Sequence, residues 1–188
     1  MELQQEKDLI ARARRLDTEA VGRLYDEYFD EILGYIIRRT GDDQAGYDIA
    51  ADVFMKAFRW LGSFQWKGIS FRAYVYRIAS NAIVDFYRNA DKQHVVTLSD
   101  VEAQCSVQDE APMVETQCIA SLLNELKKIY SHVLVLRYWQ DKSVRETAEI
   151  IGKSEWATKT IIHRALESAR KLAPRYSLDE SIFPRNSY

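Results

Sequence analysis

Residues 71–89, FRAYVYRIASNAIVDFYRN, restrict the fold more than any other stretch of the chain. Wound at about 100° per residue, Phe71, Val75, Ile78, Ala79, Ala82 and Phe86 share one arc, an apolar stripe that must be buried. A second arc carries Tyr74, Arg77, Asn81, Asp85 and Arg88 at spacings of three and four. Cations for phosphates, aromatics for bases and an amide for a base edge suit single-stranded nucleic acid. The same residues also suit a plain structural helix, with Asp85 and Arg88 paired at i,i+3 and the tyrosines completing the core.

The segments before it read as helices too. Residues 9–16 form a short basic helix with Leu9, Ala13 and Leu16 on one side. Asp17 or Thr18 can cap the next, over 19–40, where Val21, Leu24, Tyr25, Tyr28, Ile32, Tyr35 and Ile36 repeat and Gly41 stops it. Asp42 or Asp43 starts a third, with Ile49, Val53, Phe54, Ala57, Phe58 and Leu61, closed by Gly62. The first ninety residues carry no strand signal and read as a helical bundle with short turns.

Periodicity fades from Asp91 to about Thr116, where the acidic stretch cannot bury a stripe. Its length argues for two domains joined by a linker. Charge follows the same division. Residues 1–90 hold 13 Lys/Arg against 14 Asp/Glu, residues 91–120 hold 1 against 6, and residues 121–173 hold 10 against 6. The total is only −2, which argues against a free-standing general DNA binder and for a partner that supplies positive charge.

Helical pattern returns near Ile119, with Leu122, Leu123, Leu126 and Ile129, then Val133, Leu134, Leu136 and Tyr138. Ser143 and Glu146 make a capping box for a short helix through Ile151. Gly152 turns the chain, and Ser154 caps a longer helix. This is helix–turn–helix spacing. Thr158, Ile161, Ile162, Ala165, Ala169 and Leu172 share the inner arc of that helix; Trp156, Lys159, Thr160, His163, Glu167 and Arg170 share the outer one. The outer N-terminal half can reach base edges, with Lys142, Ser143 and Arg145 near phosphates. An αα-hairpin packed only for structure fits the same pattern.

Other classes of function lack a signature. No run approaches the roughly 18 apolar residues of a membrane span, and the N-terminus has no signal-peptide core, so a cytoplasmic protein is expected. Cys105 and Cys118 are expected as reduced thiols. His94, His132 and His163 form no metal-ligand spacing with them. No phosphate loop or nucleophile–base pair is visible, so the expectation is no enzyme, no cofactor, no metal and no small-molecule substrate.

Taken together, DIAADVFMKAFR with Asp48, Asp52, Phe54 and Arg59, then Phe64, then FRAYVYRIASNAIVDFYR, and finally LRYWQDKSVRETAEIIGKS with HRAL carry a resemblance. In both halves and in order, the chain resembles the extracytoplasmic-function sigma factors of bacterial RNA polymerase, in the sigma-70 family. That resemblance covers about three-quarters of the chain. It implies an all-α fold of two small helical domains joined by a flexible acidic linker: region two over 1–92, a linker over 93–116, region four over 117–173 and a tail over 174–188. It also implies a promoter-specificity subunit whose partners are bacterial core RNA polymerase, promoter DNA and an anti-sigma factor.

Carried over residue by residue, the resemblance assigns core-polymerase binding to Asp48, Asp52, Phe54 and Lys56. Minus-ten recognition and melting falls to Phe64, Trp66, Tyr74, Arg77, Asn81, Asp85 and Arg88. Minus-thirty-five recognition falls to Arg137, Lys142, Ser143, Arg145, Ser154, Trp156, Lys159, Thr160, His163 and Arg164. This chain departs from the family pattern at Tyr47, where an acidic residue is usual, and at Ala51-Asp52 for Gln-Glu. It departs again at Trp156-Ala157-Thr158 for Gly-Thr-Val, and at Ile161 for a frequent Arg. A helix–turn–helix regulator with an N-terminal dimerisation or sensing bundle is the alternative function, and a helical adaptor that binds only protein is a third.

Overall fold

The computed structural model describes residues 3–64, 70–93, 111–179 and 182–184. Among these there are eight α-helices and no strand. They are α1 (Leu3–Ala13), α2 (Thr18–Thr40), α3 (Asp43–Arg59), α4 (Phe71–Gln93), α5 (Ala111–Glu125), α6 (Lys128–Tyr138), α7 (Val144–Ile151) and α8 (Glu155–Leu172).

Local chemistry sets most of the helix ends. The Asp17 carboxylate accepts from the Glu19 and Ala20 N–H groups and starts α2. Gly41, at φ 69°, ends it in the left-handed region that costs a glycine nothing. Asp42 caps α3 through the Ala45 N–H. The basic first helix lies earlier than its pattern suggests. It stops at Ala13, and Leu16 takes φ 64° in the turn, fully outside the core, so that Asp17 can cap α2 and pair with Arg12 at 2.7 Å. α5 begins at Ala111 rather than near Ile119. Pro112 is tolerated there because a first-turn N–H has no intrahelical acceptor. Cys118, expected as a free thiol, is buried and disulfide-bonded.

The first four helices enclose an aromatic core. Phe54 lies 5.0 Å from Tyr25 and 5.8 Å from Phe29, and Phe71 lies 5.6 Å from Tyr28. Ile32, Tyr35 and Ile36 are fully buried beside them. In the second half, α6 and α7 pack on α8 through Val133, Leu136, Ile150, Ile162 and Ala165.

The halves are not separate bodies. α2 packs on α5 and α6, and α4 packs on α7, so one apolar core runs through both. This explains why α4 buries more than its predicted stripe. Ala73, Tyr76, Ser80 and Ile83 are buried along with Phe71, Val75 and Ala79, whereas Ile78, Ala82 and Phe86 are half-buried. A helix packed from two sides loses a wider arc to the interior than an amphipathic surface helix does.

The residues after α8 fold back as well. Ala173–Tyr176 forms a 3₁₀ turn, and the Tyr176 hydroxyl donates to Glu125 at 2.7 Å. Leu178 and Phe183 are buried, with Phe183 edge-on to Trp139 at 6.4 Å. Arg170 Nε holds the Phe183 carbonyl at 3.1 Å.

Candidate nucleic-acid interface

On α3 the inward arc of Gly46, Ala50, Val53, Phe54 and Ala57 leaves Tyr47, Asp48, Ala51 and Met55 exposed on the opposite face. Asp52 and Lys56 pair with each other one turn apart at its edge. Phe54 cannot belong to that surface. It is buried in the aromatic core, so its part is to hold the helix in place beneath the exposed face. Met55, which the sequence assignment omitted, takes its place on the outside. Its signal was available: Tyr47, Ala51 and Met55 recur every fourth residue, a spacing that aligns side chains on one side of a helix.

The polar strip of α4 is present, and the structure gives most of its members a partner. Phe64 is buried against Tyr74 at 4.9 Å and Phe71 at 6.2 Å, so its ring finishes the core and is not offered for stacking. Trp66 lies outside the described residues. The half-buried Tyr74 hydroxyl donates to the Ala57 carbonyl at 3.3 Å, and burial raises its pKa. Asp85 and Arg88 pair at 3.0 Å on the solvent side. Arg77 Nε donates to the Ile150 carbonyl at 3.3 Å, and Asn81 Oδ1 accepts from Lys128 Nζ at 2.7 Å.

The α7–α8 pair has the spacing expected from its caps. Ser143 and Glu146 exchange hydrogen bonds as a capping box, which lowers the Glu146 pKa, mainly through the Ser143 N–H. Gly152 turns at φ 67°, and the Ser154 hydroxyl accepts from the Ala157 N–H. Both serine hydroxyls thus serve the helix ends. The inner face of α8 is buried at Thr158, Ile162, Ala165, Leu166 and Ala169. Trp156, Lys159, His163 and Arg164 are exposed, with Trp156 79% accessible; Thr160 is half-buried. An indole in that position contributes nothing to the core. Arg145 is exposed on α7.

Two residues assigned to minus-thirty-five DNA are occupied elsewhere. The Lys142 side chain is only 12% accessible and pairs with Glu31 of α2 at 3.1 Å. Arg137 donates to the Lys142 carbonyl and so shapes the loop before α7. Glu31 also approaches Arg72 at 3.4 Å, and Arg72 reaches Glu146 at 3.3 Å. Burial opposes the Arg72 charge, but Glu31, Tyr28 and Glu146 outweigh it and raise its pKa. Sequence reasoning missed Glu31 and Arg72, and no local pattern could have revealed them. They meet only because α2, α4 and α7 converge.

Among the described residues no cluster of His, Cys, Asp or Glu could hold a metal ion, and no helix is long and apolar enough to cross a membrane. The arrangement offers binding surfaces: an acidic and apolar face on α3, a polar strip on α4, and an exposed aromatic–basic face at the start of α8.

Comparison with known proteins divides the chain in the same order. Residues 24–93 match the family described as Sigma-70 region 2, and residues 116–168 match Sigma-70, region 4. The ECF RNA polymerase sigma factor BldN of Streptomyces coelicolor is 32% identical over 174 residues, covering 89% of this chain and 65% of BldN. RNA polymerase sigma factor YlaC of Bacillus subtilis is 31% identical over 170 residues, covering 87% of this chain and 98% of YlaC. Among solved structures, CnrH in complex with the cytosolic domain of CnrY matches with a TM-score of 0.66 at 24% identity, covering 89% of this chain and 96% of that one. That likeness is one of fold.

Proposed function

Because the chain belongs to the sigma-70 family, as an RNA polymerase sigma factor of the extracytoplasmic-function type that directs promoter-specific transcription initiation, we propose how its surfaces divide that work. The family is non-enzymatic, so the chemistry of RNA synthesis stays with the polymerase. The α3 face, with Asp48 and Met55 outward and the Asp52–Lys56 pair beside them, docks on core polymerase. The α4 strip holds the non-template strand. Asn81 takes an extruded base, Tyr74 and Trp66 offer ring surfaces, and Arg77 and Arg88 take phosphates, with Asp85 orienting Arg88. Extruding and holding a base costs a few kcal/mol of stacking, which these contacts offset.

The start of α8 reads the upstream element through Trp156, Lys159, Thr160, His163 and Arg164, with Arg145 on the backbone. Boundaries at 1–92, 93–116, 117–173 and 174–188 separate the working parts. The protein acts in the cytoplasm, with an anti-sigma factor as its regulatory partner.

One observation carries this reading: a half matched to region 2 precedes a half matched to region 4, and each turns unburied polar side chains to one side. The net charge of −2 fits the same picture, since the core enzyme supplies the DNA channel and a subunit without excess positive charge avoids titration onto random DNA. Run-off transcription with purified chain and core polymerase on genomic templates tests it. Specific transcripts are expected with the chain and none with core polymerase alone; strong binding to a palindromic duplex without polymerase would favour a free-standing regulator instead.

A further inference from the structure

We infer that Trp156 selects thymine in the upstream promoter element, by burying its indole against the C5-methyl group in the major groove. This rests on the reading of α8 as the base-contacting helix and goes further, naming the base and the group on it that one side chain recognises.

Trp156 stands in the first turn of α8, two residues beyond the Ser154 cap, and is 79% accessible. An aromatic ring that usually buries about 150–250 Å² is therefore left almost wholly in water. The inner face of α8 begins at Thr158 and continues through Ile162 and Ala165, so the indole takes no part in the packing of the helix pair. Its surroundings favour DNA over an apolar protein groove. Lys153 and Lys159 are exposed on either side of it, and the helix N-terminus adds its own partial positive charge. A groove edged by phosphates accepts these charges, whereas an apolar protein groove would have to strip both lysines of water.

The neighbouring polar groups leave the apolar contact to the indole. Thr158 Oγ1 donates to the Ser154 carbonyl at 2.9 Å, and Thr160 Oγ1 donates to the Trp156 carbonyl at 3.2 Å. Ser154 Oγ is held in the cap, accepting from the Ala157 N–H at 3.2 Å. His163 Nε2 lies 3.7 Å from Glu167, one turn further on. The exposed cations Lys159 and Arg164 suit the acceptors of guanine, and exposed Glu155 suits the amino group of cytosine. Among the four base edges in the major groove, only thymine presents an apolar group, its methyl. An indole at the base-contacting end of the helix thus has one base on which it can bury surface.

Burial of one methyl group is worth roughly three- to fivefold in binding. A promoter found by run-off transcription is rebuilt as duplexes in which each thymine of the upstream element, on either strand, is replaced in turn by deoxyuridine. Deoxyuridine pairs as thymine does and lacks only the methyl group. Holoenzyme made from the full chain and core polymerase is titrated onto each duplex in a gel-shift assay. A loss of about three- to fivefold is expected at one or two of the thymines. At those positions Trp156→Ala should bind thymine and uracil duplexes alike, and Trp156→Phe should keep part of the difference. Lys159→Ala should weaken both duplexes and preserve their ratio, since it acts on another group.

Equal binding of thymine and uracil duplexes at every position overturns the inference and leaves promoter-specific initiation standing. A thymine preference that survives Trp156→Ala, or an upstream element without thymine, overturns it in the same way. If Trp156→Ala weakens every duplex equally and also weakens assembly with core polymerase, the indole belongs to a protein contact instead. The absence of any specific transcript from the parent holoenzyme overturns the reading of α8, and the inference with it.

Discussion

Gly41 offers a measurable separation of two effects at one position. It ends α2 at φ 69°, and a Cβ there would stand 2.9 Å from Ala120 Cβ and 3.3 Å from Gln117 Cα, both on α5. In Gly41→Ala the left-handed backbone costs about 1–2 kcal/mol for an L-residue. The added carbon also sits well inside the separation of about 3.5–4.0 Å that carbon atoms prefer. Neither neighbour is the end of a flexible side chain, so α5 must retreat, at about 1–3 kcal/mol for overpacking of this kind.

The expected loss is therefore about 2–5 kcal/mol. Gly41→Asn has the same Cβ but tolerates the left-handed region, so it should retain only about 1–3 kcal/mol of that loss. Urea unfolding of the intact chain, followed by helical circular dichroism and extrapolated to water, gives both numbers. An alanine variant within about 0.5 kcal/mol of the parent refutes both effects. Equal losses for Asn and Ala would leave the approach of α5 and remove the backbone strain.

Asn81→Ala should reduce open-complex formation about five- to tenfold, the value of one hydrogen bond to a held base, with polymerase binding unchanged; permanganate reactivity of unpaired thymines measures the first and gel filtration with core enzyme the second. Trp156→Ala should leave stability within about 0.5 kcal/mol because the indole is exposed, yet weaken promoter-dependent initiation; unchanged initiation at every responsive promoter would remove Trp156 from the reading face. Phe183→Ala, at a ring 1% accessible beside Trp139, should cost about 3–5 kcal/mol in urea unfolding, whereas a near-zero loss would show that the segment after α8 is dispensable to the fold.

Much of the architecture was legible because it is written in short-range terms. The caps at Asp17, Asp42, Ser143 and Ser154 and the glycine stops at Gly41 and Gly152 each depend on residues within a few positions; the pattern placed the last four and left only a neighbouring alternative, Thr18 or Asp43, at the first two. The outward residues in the first half of α8 were legible for the same reason: its neighbours cover one face only there, whereas Arg170 of the expected outer arc is taken by the Phe183 carbonyl. Where more than one element covers a helix, the pattern misled. Phe54, assigned to the polymerase contact, and Phe64, assigned to minus-ten DNA, lie in the core, and Lys142 read as a phosphate contact but pairs with Glu31.

By itself, the sequence determined helix type, the capped helix ends and the order of the two halves, since these follow from residue spacing along the chain, and its motifs carried the resemblance to the family. Only the tertiary structure decided which faces remain open. Arg77 meets Ile150 and Asn81 meets Lys128 across separations of 73 and 47 residues. No periodicity records such meetings, because they arise from the packing of α7 and α6 against α4 and α2, and from the desolvation that packing imposes on Arg39, Ser80 and His132.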